Sequence, residues 1–168
     1  RDCDGYWRMI VAGDNAIRPV PATRTGDMAA DTLRPAALLD DVERFDAAFF
    51  DIAPREATHM DPQQRLFLEV AWQALEDSGQ TRAQLAGSST GVFVGVHNHS
   101  SGYLELQTTD PSCLNEYTAL GTGHDVIPGR LAYFLDLRGP SAAINTACSS
   151  SLVAVHLACQ SLQSRDCR

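Results

Sequence analysis

Cysteine is the residue type in this chain best suited to covalent chemistry, and Cys148 stands in an informative place. Residues 142–158 run Ala-Ala-Ile-Asn-Thr-Ala-Cys-Ser-Ser-Ser-Leu-Val-Ala-Val-His-Leu-Ala. The pattern predicts a short apolar strand that stops at Thr146, then a long apolar helix with the cysteine at its mouth. A thiol there faces the positive end of the helix dipole and the unpaired N–H groups of the first turn. Both favour the thiolate, which is the nucleophilic form. A carbonyl held at the same turn would direct its developing oxyanion toward those donors. The chemistry that fits is acyl transfer through a thioester. The residue alone leaves a second reading open, a small buried cysteine, since free cysteine is among the most buried residue types.

A hydrolase with water as acceptor would need a histidine beside this thiol. His156 lies about 12 Å further along the helix axis, whereas hydrogen-bond reach is about 3 Å. Cys159, about 16 Å along, is too far to share a metal with Cys148. Both are expected to be core or interface residues of an apolar helix. His59, His97, His99 and His124 lie upstream. His97 and His99 end a predicted strand and would point the same way, but no third or fourth ligand stands nearby, so zinc is not expected. With Asn98 and Ser100 they read as turn residues; a functional role at a strand end is the alternative. Gly121 and Gly123 supply two glycines of a dinucleotide fingerprint without the third or a preceding strand, so no nucleotide loop is expected.

The elements that would position Cys148 follow from periodicity and punctuation. Helix is expected over 61–78: Asp61 can cap, Pro62 suits the first helical position and Gln64 can close a capping box. Leu66, Phe67, Val70, Ala71, Ala74 and Leu75 repeat at helical spacing, and Gly79 ends the pattern. Glu76 and Asp77, near the C-terminal end, are expected in solvent. Residues 90–97 read as a buried strand whose Gly91 and Gly95 allow a neighbour to approach closely. Helix is expected over 127–137, entered through Pro128, strand over 141–146 and helix over 148–163. The last is apolar nearly all round, as an enclosed helix should be. A short aromatic helix over 4–13 ends at Gly13, and Pro19, Pro21, Gly26 and Pro35 mark a loop-like stretch. Residues 1–39 are therefore an irregular lead-in and 40–168 the core.

A chain of 168 residues, 44% hydrophobic and 20% charged, has ordinary globular composition. A net charge of −8 argues against nucleic acid or an anionic membrane as partner. No apolar run approaches the ~18 residues of a membrane span, and no signal-like start is present. The expectation is a cytoplasmic protein. Cysteines 3, 113, 148, 159 and 167 show no paired spacing and are expected as free thiols. The sequon at Asn98 is then a chance match. Both ends look cut.

The string NTACSSSLVAVHLACQSL from Asn145 to Leu162 resembles the nucleophile motif of β-ketoacyl synthases, in particular the ketosynthase domains of modular type I polyketide synthases. Asp40 to Gly79, including DPQQR, and GRLAYFLDLRGPS from Gly129 to Ser141 resemble the same family, as Asp4 to Pro21 does more weakly. The resemblance implies an α/β, thiolase-like fold, incomplete, the N-terminal half of a ketosynthase. It implies that Cys148 accepts an acyl group from a thioester on the phosphopantetheine arm of an acyl carrier protein, with no cofactor bound directly. A malonyl-type extender thioester would lose CO2, and its carbanion would attack the acyl-enzyme. The family's two site histidines come from downstream motifs that this chain lacks, so the parent homodimer is expected to condense and these residues alone are not. Polyketide and fatty-acid products are not separated at this length. Asn145 stands where the family most often has aspartate, Pro128 and Gly129 replace small residues, and the lead-in is shorter than usual. The non-enzymatic alternative is a ketosynthase-like dimerisation or docking segment, or a gene remnant.

Overall fold

Asp61, Pro62 and Gln63 open the helix around which the larger part of the chain is arranged. The Asp61 carboxylate accepts from the Gln63 N–H at 2.8 Å, and proline occupies the first turn, where its missing N–H costs nothing. The computed structural model describes residues 3–24, 34–97 and 103–168. Two compact units divide the chain, Arg1–Val42 and Glu43–Arg168.

In the first unit, helix α1 (Cys3–Ala12) has no buried residue. It ends at Gly13 in the left-handed region, φ 69°. Arg18 and Ala36 form an antiparallel bridge through bonds of 3.1 and 2.9 Å.

The second unit runs α2 (Pro54–Ala57), α3 (Pro62–Asp77), α4 (Arg82–Leu85), β1 (Val92–Gly95), α5 (Tyr103–Thr108), α6 (Glu116–Thr122), α7 (Val126–Phe134), β2 (Ser141–Ile144) and α8 (Ser150–Ser164). Strands β1 and β2 pair in parallel, Val92 opposite Ser141 and Gly95 opposite Ile144. A parallel pair requires a crossover, which here includes α7. Side chains alternate along β1. Val92 and Val94 join the core of Leu68, Leu131, Phe134 and Leu135 beneath α3 and α7. Gly95, on the other face, meets the start of α8. The result is α/β layering: helices, a sheet, and α8 behind it. Phe45, Phe49, Phe50, Trp72 and Phe134 close one end of the core as an aromatic cluster, with centroids 5.0–5.9 Å apart. The Arg82 guanidinium lies 4.4 Å over the Phe134 ring.

Several expectations are corrected. The stripe of α3 passes through Gln64 and Leu68, each 1% exposed, while Val70 is 60% exposed and Ala74 also faces out. Gln64 closes no capping box. Its amide turns inward and donates to the carbonyls of Leu120 and Gly123, 3.0 Å each, and the Asp61 N–H goes to Gly121 O at 2.8 Å. The carbonyls that the C-terminal end of α6 leaves without a partner in the helix are thus satisfied by the start of α3. Strands 90–97 and 141–146 contract to four residues each. Helix α7 stops at Phe134 because Asp136 takes a left-handed φ of 54°. Helix α8 is not enclosed: Leu152 is 78%, Val155 59% and Leu162 53% exposed. His156 and Cys159 are exposed on it, so of the core or interface placement expected for them the core one does not hold. Gly13, Gly79, and the exposure of Glu76 and Asp77 match expectation. Among the described residues no helix is long and apolar enough to cross a membrane.

Candidate active site at the β2–α8 turn

The turn from β2 into α8 is built almost wholly from side-chain hydrogen bonds to its own backbone. The Asn145 side-chain oxygen accepts from the Ala147 N–H at 3.2 Å. The Ser149 hydroxyl donates to Thr146 O at 2.7 Å and lies 2.9 Å from Thr146 Oγ1. The Ser150 hydroxyl accepts from the Thr146 N–H at 2.9 Å and donates to Ala147 O at 2.7 Å. Hydroxyls that capture nearby backbone groups compete with helix formation. Residues Ala147–Ser149 accordingly form a 3-10 turn, and α8 begins at Ser150 rather than at 148. Ala147 sits at φ 54°, a region an L residue with a Cβ enters at a cost.

Cys148 is the middle residue of this turn. It is a free, exposed thiol, so the buried reading fails. The sheet fixes the turn from below. A Cβ on Gly95 would lie 2.7 Å from the Ser151 nitrogen and 2.8 Å from the Ser150 carbonyl carbon. Glycine at the end of β1 therefore lets the first turn of α8 rest directly on the strand, the close approach that its place in the strand pattern suggests.

The histidines are not gathered here. His59 Nδ1 donates to Arg55 O at 2.9 Å, and Nε2 accepts the Asn115 amide at 2.7 Å. The Asn115 orientation is set by its oxygen, which accepts from Tyr117 N–H at 2.9 Å. His124 Nε2 is buried without a partner, and His97 is exposed after β1. Asn98, His99 and Ser100 lie outside the described residues. Among the described residues no histidine hydrogen-bonds Cys148. Among the described residues no group of His, Cys, Asp and Glu could hold a metal. Gly121 is helical and packs its Cα against the His59 backbone, where a Cβ would clash; it serves packing.

Sequence reasoning misses two features. One is Ser150, although three successive serines before an apolar helix signal competition for the backbone. The other is Arg130. It donates to Gln64 Oε1 at 2.9 Å, to Glu56 Oε1 at 2.6 Å and to Leu120 O at 3.3 Å, joining α2, α3, α6 and α7. No local pattern signals such a long-range set.

The family profile described as "Beta-ketoacyl synthase, N-terminal domain" matches residues 1–168. The chain belongs to that family. Two phenolphthiocerol/phthiocerol polyketide synthase polypeptides of Mycobacterium tuberculosis are among the relatives of this β-ketoacyl synthase chain. It is 53% identical to one of them, covering 98% of the chain and 9% of that protein. It is 47% identical to the other, covering 98% and 11%. Among solved structures it superposes on the oxazolomycin ketosynthase domain OzmH KS7 of Streptomyces albus JA3453 with TM-score 0.83 and 35% identity, covering 99% of the chain and 30% of that structure. The fold is therefore thiolase-like, and the chain is the N-terminal part of a ketosynthase domain. It spans about a tenth of the length of the curated relatives it matches.

Proposed function

We propose that Cys148 is the acyl-accepting nucleophile of a polyketide β-ketoacyl synthase. The observation that carries this reading is the free, exposed thiol at a left-handed turn between β2 and α8, in a chain of this family. The donor is an acyl thioester on the phosphopantetheine arm of an acyl carrier protein. Cys148 Sγ attacks the acyl carbonyl, a new carbon–sulfur bond forms, and the bond to the arm's sulfur breaks. The departing thiol carries the proton that Cys148 gave up. A malonyl-type thioester then loses CO2, and the resulting carbanion attacks the acyl carbonyl on Cys148. A carbon–carbon bond forms and the cysteine sulfur leaves. The parent enzyme works as a homodimer in the cytoplasm.

The second half of this reaction needs groups that handle protons and the enolate. His59 is committed to Arg55 and Asn115, and His156 stands along α8 from Cys148. The 168-residue chain is therefore expected to acylate without condensing. Incubation with an acyl-pantetheine thioester should add one acyl mass at Cys148, absent in Cys148→Ala. Adding a malonyl thioester should yield no β-ketoacyl product above the Cys148→Ala background. A chain whose acyl adduct survives Cys148→Ala would disprove the assignment.

A further inference from the structure

Ser150 is 4% exposed although Ser149 and Ser151 on either side are open to solvent. Its hydroxyl does not cap α8: no side-chain cap bond is made at that helix start. Instead it reaches backward, accepting the Thr146 N–H at 2.9 Å and donating to the Ala147 carbonyl at 2.7 Å. Those two groups flank Ala147, the residue held at φ 54°. One hydroxyl thus pins both sides of the unfavourable conformation. The backbone of Ser150 is itself fixed, because it rests against Gly95 of β1 with no room for a Cβ between.

We propose that Ser150 is a positioning residue that clamps the left-handed turn and so sets the direction in which Cys148 Sγ is presented. Its use in acyl transfer rests on the reading of Cys148 as the nucleophile; the clamp itself rests on geometry. Ser149 performs a different task, since its exposed hydroxyl engages Thr146 alone. Without the Ser150 hydroxyl, Ala147 relaxes toward ordinary negative φ and the sulfur turns from its open face. Glycine at 147 would hold positive φ without help, so the clamp should then be dispensable.

The test is peptide-resolved alkylation by iodoacetamide of the 168-residue chain. Cys3 is exposed and serves as the thiol reference, and buried Cys167 reports loss of fold. Ser150→Ala is expected to slow alkylation at Cys148 roughly tenfold, with Cys3 unchanged and Cys167 still protected. Adding Ala147→Gly to that variant should bring the Cys148 rate back to within about threefold of the unaltered chain. An unchanged Cys148 rate in Ser150→Ala overturns the proposal, as does failure of glycine to rescue. So does a parallel rise at Cys148 and Cys167, which marks a purely structural role. Should Ser150→Ala not fold, the double variant decides: folded with a near-native rate supports the clamp, unfolded refutes it. Acylation of the unaltered chain by acyl-pantetheine is scored separately. Its failure removes the nucleophile role, while the iodoacetamide ratios still settle the clamp.

Discussion

Arg130 is a long-range tie that is expensive to cut. Its side chain is 11% exposed and that of its partner Glu56 22%. The same guanidinium serves Gln64 Oε1 and Leu120 O, and Gln64 in turn holds the end of α6. Removing one member of a largely buried pair leaves the other charge without compensation. Arg130→Leu is expected to cost about 3 kcal/mol, read as a lower urea midpoint with unchanged slope. Arg130→Lys should restore little of it, because a compact ammonium cannot span three acceptors in a fork. The neighbouring Gly129 behaves oppositely. It is helical, and a Cβ there would meet nothing within 4 Å. Gly129→Ala should therefore stabilise the chain by about 0.5–1 kcal/mol. Gly95→Ala should destabilise it by about 2 kcal/mol through overpacking against α8, and should perturb Cys148 alkylation as well.

At the scale of elements, the helix ends show where a sequence speaks and where it is silent. α1, α3, α7 and α8 all finish with the same pair of bonds. In α3, Gly79 N–H reaches Glu76 O at 3.0 Å and Gln80 N–H reaches Leu75 O at 2.9 Å. In α8, Arg165 N–H reaches Leu162 O at 3.2 Å and Asp166 N–H reaches Ser161 O at 2.9 Å. The motif places one residue in the left-handed region. Gly13 and Gly79 announce it, because glycine adopts that region freely. Asp136 and Arg165 hold φ 54° and 63°, and nothing local flags them, so the pattern of α7 runs three residues past its true end. Arg165→Gly is expected to gain about 1 kcal/mol, measurable as a raised thermal midpoint. The same division holds for the site. Cys148 is legible because a strand–cysteine–helix pattern is local. The Gln64 amide is not, because its partners, Leu120 and Gly123, come from a distant segment and outcompete a local capping box. Thr81 and Gln84 do form a full capping box ahead of α4, a signature that four residues of sequence carry by themselves.

Considered as a whole molecule, the second unit presents apolar surface on its last helix. Leu152, Val155 and Leu162 are exposed on α8, and contiguous exposed apolar groups favour self-association. The net charge of −8 opposes this only at long range and is screened by salt. Light scattering of the purified chain is expected to rise with concentration and with ionic strength. Leu152→Lys combined with Val155→Glu should suppress that rise without lowering the melting temperature by more than a few degrees, since neither side chain is packed in the core.

The parallel pairing of β1 with β2 also bears on how quickly the molecule matures. Val92 must find Ser141 across a segment that contains α5, α6 and α7. Helices nucleate from near neighbours, whereas this union waits on closure of a long loop. Gly95 can receive Ser150 only after the strands are in register. In a stopped-flow refolding experiment the far-ultraviolet signal should therefore recover first, and the native rate of thiol capture at position 148 should return last.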